Sequence, residues 1–254
     1  MKHNSFCQTV NINFLIFVAV LVLLSGCGAK KIDLEAYYYP IGKLKHEGLV
    51  YEYKSDNINM APSFWYYAAE QIHDTTLLLG QNLNQQFEVT QLTVERKVKN
   101  GMLLMSNRIF IPDSTGKKQQ VDVEILQKNL YPFSVSDTNG IFLYKVKRIS
   151  GKDKHTTVIR NRRFLGFADL VYKNKPIKCA KFEVKERIED FKEGYIEYPF
   201  HGFEYYGLNI GLLKLEKIVN ANLKLSYYLN DILTVDEFEK RYNTKNPISW
   251  VDAF

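Results

Sequence analysis

Residues 89–111 read VTQLTVERKVKNGMLLMSNRIFI, two runs in which β-branched and apolar residues alternate with polar ones on either side of Asn100-Gly101. Alternation with period two is the mark of a half-buried strand, and Asn-Gly is the strongest short hairpin signal because both residues accept the positive φ of a type I′ turn. A turn centred there pairs Lys99 with Met102 and sets Val98 opposite Leu103, Val94 opposite Asn107 and Leu92 opposite Ile109. It predicts that Leu92, Val94, Val98, Leu103, Met105 and Ile109 share one face, and that this face is core.

Working outward, Asn139-Gly140 repeats the device within PFSVSDTNGIFLYKVKR, pairing Val135 with Tyr144 and Phe133 with Val146. Further strands are expected around Val121, Val123 and Ile125, through TTVIRNRRF (residues 156–164), around Ala180, Phe182 and Val184, and through Leu223, Leu225, Tyr227 and Leu229. Turn residues cluster at 112–116, 150–154 and 190–194. The prediction is an all-β fold, mainly an antiparallel meander, forming a curved sheet, half-barrel or barrel. One short C-terminal helix is expected. Thr234 and Glu237 have capping-box spacing, Phe238 and Tyr242 form an i,i+4 pair, and residues 243–247 break the pattern at Pro247.

The N-terminus carries a different signal. Residues 14–31 read FLIFVAVLVLLSGCGAKK, with an uninterrupted apolar run of about 11 residues, against the roughly 20 that a helix needs to cross a bilayer. Lys2 supplies a weakly positive start, and Ser25 and Gly26 are small residues of the cleavage-site kind. Leu24-Ser25-Gly26-Cys27 resembles the bacterial lipobox. That resemblance implies a signal peptide over residues 1–26, cleavage between Gly26 and Cys27, and a Cys27 carrying diacylglycerol on sulfur and a fatty acyl group such as palmitate on its amine. Residues 27–36 then form the lipidated N-terminus and tether, and residues 37–254 a single β-rich domain. More than one acyl chain makes the anchoring stable.

Composition narrows the function. Loss of residues 1–26 removes Lys2 as the only charged side chain and lowers the net charge of +6 by one, a modest excess that gives no expectation of nucleic-acid binding. The densest basic cluster, Lys145, Lys147, Arg148, Lys152, Lys154, Arg160, Arg162 and Arg163, reads as the solvated face of a hairpin, with anionic headgroups as the alternative partner. With Cys7 in the signal peptide and Cys27 lipidated, Cys179 is the only thiol left, so no intrachain disulfide can form. Alternation puts Cys179 beside Lys181, on the face opposite Ala180, unless a bulge turns it inward. An inert packing role is preferred to a redox one.

Catalytic signatures are not found. His46, His73, His155 and His201 are isolated from second ligands at metal spacing, and His73-Asp74 reads as a surface turn. Neither a G-x-S-x-G elbow nor a phosphate-binding loop occurs. No cofactor, metal or catalytic residue is therefore assigned, and the chain is expected not to be an enzyme. Aromatic residues are abundant, with 17 Tyr and 16 Phe, which suits either the rim of a β core or an aromatic-lined ligand cavity.

The segments YYYPIGKLKHEGLVYEY (37–53), NRRFLGF (161–167), FEYYGLNIGLLKLE (203–216) and LKLSYYLNDIL (223–233) resemble β-rich lipoproteins of the Bacteroidota. These in turn are similar to the half-barrel lipoprotein-localisation and lipid-binding lipoproteins, a curved antiparallel sheet with helices on its concave side. The resemblance implies a lipid-anchored outer-membrane protein. Its periplasmic face is favoured because Lys30 and Lys31 stand where a surface-export signal would be acidic. The expected role is non-catalytic binding of a lipid or other apolar ligand. An envelope scaffold that binds another protein is the alternative, and a hydrolase-type enzyme without a recognisable motif comes third.

Overall fold

The computed structural model describes residues 31–244 except 58, 114, 137–139, 152, 192 and 221–222, and leaves the Asp122 side chain undescribed. The signal peptide, Cys27, Lys152, Asn139 and Pro247 thus lie outside the described residues.

Strand β1 (Ile32–Asp33), a 3-10 turn (Glu35–Tyr37) and helix α1 (Ile41–Leu44) precede the main sheet. Twelve strands then form it: β2 (Leu49–Ser55), β3 (Ser63–Ile72), β4 (Thr75–Leu83), β5 (Val89–Val98), β6 (Gly101–Pro112), β7 (Lys118–Pro132), β9 (Ile141–Gly151), β10 (Lys154–Tyr172), β11 (Lys175–Asp190), β12 (Ile196–Gly207), β13 (Gly211–Asn220) and β14 (Leu223–Thr234). Each pairs antiparallel with its neighbour along the chain. One contact between strands distant in the chain, β14 on β2, completes a closed barrel. Closure removes the exposed edges that an open curved sheet would leave. Strand β8 (Ser134–Val135) stands apart and pairs only with β1.

That pairing corrects the second expected hairpin. Val135 lies opposite Ile32, and Val146 lies between Ile125 and Val158, so neither the Val135–Tyr144 nor the Phe133–Val146 pair forms. The chain leaves the sheet after β7 and re-enters at β9, and the segment between them anchors the N-terminus instead.

The first hairpin exists, with a shifted register. Val98 pairs with Gly101, so the two-residue turn is Lys99-Asn100, and neither residue has positive φ. Gly101 has a different duty from the one expected. A Cβ on it would stand 2.3 Å from the Tyr131 carbonyl oxygen, so glycine lets β7 approach β6 closely. A bulge then sets Val94 opposite Ser106 and Glu95 opposite Leu104, leaving Met105 unpaired and 38% exposed. The predicted apolar core face is therefore corrected. Gln91, Thr93 and Glu95 face the interior, while Val94 and Val98 are only half-buried.

The N-terminal segment plugs one end of the barrel. Leu34 is fully buried and donates to the Phe133 carbonyl at 2.8 Å, and the Asn209 N–H donates to the Ala36 carbonyl at 2.7 Å. The side chains of Tyr38 and Tyr39 pack against Tyr51, Tyr67, Tyr131 and Tyr206, with ring centroids 4.2 to 6.2 Å apart. Residues ahead of the boundary expected at 37 already pack here, Ile32 pairing with Val135 and Leu34 supplying apolar area that the barrel end would otherwise leave wet.

Helix α2 (Val235–Tyr242) forms as predicted, with the Thr234 hydroxyl accepting from the Glu237 N–H at 3.2 Å and Asn243 ending it in the left-handed conformation. It covers the outside of β2 and β3. Fully buried Phe238 sits 5.5 Å from Phe64 and 5.2 Å from Phe87, and such a side chain contributes about 1.5–3 kcal/mol by burial. No described helix is long and apolar enough to cross a membrane.

Candidate ligand cavity

Residues directly opposite one another in a sheet share a face, so the register separates inside from outside. On β11, Ala180, Phe182, Val184 and Glu186 point inward, while Lys181, Glu183, Lys185, Arg187 and Glu189 point out. That outer stripe is charged, a costly pattern against acyl chains. Inside lies a cavity of about 500 Å³.

Two unlike walls enclose it. Strands β9 and β10 supply Tyr144, Arg148, Val158, Arg160 and Arg162, which alternate along the inward face. Four to six strands around the barrel from β10, strands β14, β2 and β3 supply Tyr227, Tyr53, Trp65 and Tyr67. Leu212 and Leu215 of β13 extend this second wall.

The charged wall is built from buried pairs. Glu204 is 2% exposed and accepts from Arg162 Nε at 2.7 Å and Nη2 at 3.2 Å, while Arg162 Nη1 donates to the Leu130 carbonyl at 3.0 Å. The Tyr206 hydroxyl also donates to Glu204, at 3.1 Å. Burial opposes ionisation of the Glu204 carboxyl, but Arg162 and Arg160 outweigh it and hold its pKa below the usual range. Glu186 behaves alike. Burial works against its charge, yet Arg160 and Lys217, the latter at 2.6 Å, bring its pKa down to about 2.

Glu95 stands against this pattern. Burial is the dominant influence and lifts its pKa to about 7, although the hydrogen bond from Tyr38 and the charge of Arg162 both pull it down. Arg148 has no acidic partner among the described residues, and its Nε is buried without a hydrogen bond.

The expectation that the basic cluster of residues 145–163 makes a solvated face is thus corrected for three of its eight members. Arg148, Arg160 and Arg162 point inward because they share strand parity with Val146, Val158 and Phe164, which the core requires inside. Glu95, Glu186 and Glu204 went unnoticed in the sequence for a related reason. Each is one polar residue in an alternating strand, and only closure of the barrel brings them to one space. The signal that could have revealed Arg160 and Arg162 is their even spacing with Val158 and Phe164.

The remaining candidates fall elsewhere. Cys179 lies on the face opposite Ala180, as alternation predicts, yet it is fully buried. Leu213 and Ile177 close over the neighbouring Gly207, and the β10–β11 hairpin reaches across so that Lys173 meets Asp231 at 2.6 Å. Burial pushes the thiol up to about 11, a value that suits packing and not redox chemistry. His73 occupies the β3–β4 turn with φ 51°, His155 stacks on Phe191 at 4.4 Å, and His201 meets Glu183 at 3.1 Å on the outer surface. His46 is exposed.

The fold has solved counterparts. A protein of Parabacteroides distasonis described as a lipoprotein superposes with a TM-score of 0.54 at 15% identity, covering 77% of this chain and 97% of its own. An exported protein of Bacteroides fragilis with a YmcC-like fold superposes with a TM-score of 0.51 at 14% identity, covering 77% and 98%. At such identities the likeness concerns the fold alone. No protein-family model and no curated protein sequence matches the chain.

Proposed function

We propose that this chain is a lipid-anchored protein of the bacterial cell envelope that holds an apolar or amphipathic ligand inside its barrel and performs no catalysis. The observation that carries this reading is the interior cavity of about 500 Å³ with one wall of aromatic and leucine side chains. The lipobox-like sequence ending at Cys27 supports the anchor, and the two fold counterparts are described as a lipoprotein and an exported protein. An outer-membrane site on the periplasmic side belongs to the same proposal and rests on Lys30 and Lys31.

The geometry adds an orientation. Five residue steps separate Cys27 from Ile32, about 17 Å when extended, and Ile32 sits at the plugged end. A lipid on Cys27 would therefore hold the plugged end toward the bilayer and leave the opposite rim facing away.

Two measurements test the proposal. Metabolic labelling with a fatty acid should mark the wild type and not Cys27→Ala, and label in both or in neither overturns the anchor. Residues 28–254, which lack the anchor, should retain a discrete lipid-sized mass in native mass spectrometry. A bare mass together with no uptake of a fluorescent fatty-acid or phospholipid probe would leave the scaffold reading. Exposed Val171 (76%) and Ile141 (67%), at the plugged end, would then be the contact residues.

A further inference from the structure

The interior does not balance its own charge. Four cations face it or reach into its ion pairs: Arg148, Arg160, Arg162 and Lys217. Glu204 answers Arg162 and lies 3.8 Å from Arg160, and Glu186 answers Arg160 and Lys217. Glu95, the third acid, holds its carboxyl against the Tyr38 hydroxyl and accepts from no arginine among the described residues. Arg148 remains over. Its Nε is buried without a hydrogen bond, and it points inward on the same strand face as Tyr144, whose register partner is Arg160. Arg148 is half-buried with its Nε shut away from solvent and unbonded, and such a cation gains from a ligand that supplies the missing charge.

Charge and apolar surface are also separated across the cavity. The arginines lie on β9 and β10, and Trp65, Tyr53 and Tyr227 face them from the far side of the barrel. Taking the ligand-binding reading above as its basis, we infer that the cavity takes an amphiphile with an acidic head, carboxylate or phosphate. The head sits on Arg148 and Arg160, and its ring or chain lies against Trp65, Tyr53 and Tyr227. Guanidinium groups suit both heads because their planar N–H forks match paired oxygens. Tyr144 offers a third donor beside Arg160, since its hydroxyl already accepts from Asn107 Nδ2 at 3.3 Å and keeps its own proton to give. A wholly apolar ligand would leave Arg148 desolvated and unanswered. A neutral sugar would meet the aromatic wall and leave the same charge unpaired.

Three probes sharing one ring separate the possibilities: 1-naphthoate, 1-naphthyl phosphate and the neutral 1-naphthamide. They are titrated calorimetrically into the full-length protein in detergent, with the heat of detergent alone subtracted. At least one acid should bind about tenfold more tightly than the amide, and which acid does so distinguishes a carboxylate head from a phosphate head. Arg148→Gln should bring that acid to the affinity of the amide, Arg148→Lys should restore part of the preference, and Trp65→Ala should weaken every probe that binds. Arg148 has no acidic partner among the described residues, so the thermal melt of Arg148→Gln should match wild type and show that the loss is one of binding. Equal affinity of all three probes in wild type overturns the acidic-head inference and leaves ligand binding standing. An acid preference that survives Arg148→Gln overturns the placement of the head. Absence of binding by all three overturns both readings.

Discussion

The Tyr38 hydroxyl donates to Glu95 Oε2 at 2.5 Å, joining the N-terminal plug to the barrel wall across 57 positions of sequence. Both groups are buried, and burial lifts both pKa values, that of Glu95 to about 7. The folded state thus binds a proton more tightly than the unfolded chain, where a glutamate titrates near 4.5. The stabilisation this provides is complete below about 4.5 and is lost as the pH rises through about 7. Denaturant melts should show wild type losing on the order of 1–3 kcal/mol relative to Glu95→Gln between those limits. A constant difference between the two proteins across this window would refute the assignment. Glu186, held near 2, behaves in the opposite sense: it stabilises the fold fully above about 4.5 and loses that contribution only as the pH falls toward 2, below the window of Glu95.

Arg162→Ala should be strongly destabilising. It strips the principal partner from Glu204, which is 2% exposed, and removing one member of a buried pair costs roughly 3–5 kcal/mol. Replacing both, as Arg162→Met with Glu204→Leu, should recover much of the loss, because no buried charge is then left unpaired. Urea melts of the two variants compare the outcomes directly.

Gly101→Val and Asn100→Val should behave differently although they adjoin. Valine at 101 drives its Cβ into the Tyr131 carbonyl and should cost about 2 kcal/mol or more. Asn100 is exposed and does not have positive φ, so valine there should change stability by about 0.5 kcal/mol or less. Equal losses in a thermal melt would mean that a left-handed turn, and not the close approach of β7, sets the requirement.

Cys179 should resist thiol reagents in the folded protein. It is fully buried, and burial pushes its pKa to about 11, so thiolate is scarce and inaccessible at neutral pH. Maleimide labelling should be negligible under native conditions and complete in guanidinium. Rapid native labelling would show that the β10–β11 hairpin lifts from its contact at Asp231.

The sequence by itself determined the class of structure and several local elements. Alternation of apolar and polar residues makes strands, and a Thr234–Glu237 box starts a helix wherever the chain lies, because both are set by neighbours a few residues apart. Alternation also placed Ala180, Phe182 and Val184 correctly on one face. Which face of a strand turns inward was decided by tertiary structure. Met105 yields its place through a bulge and Glu95 enters the interior with Leu104, since one residue of slip exchanges the faces of a strand. The polar interior required closure. Arg162 and Glu204 lie 42 positions apart on strands β10 and β12, and no local pattern in either segment encodes their meeting. The plug was equally hidden. Leu34 and Tyr38 look like tether and domain edge in sequence, and become core only because twelve strands close into a barrel whose open end needs apolar cover.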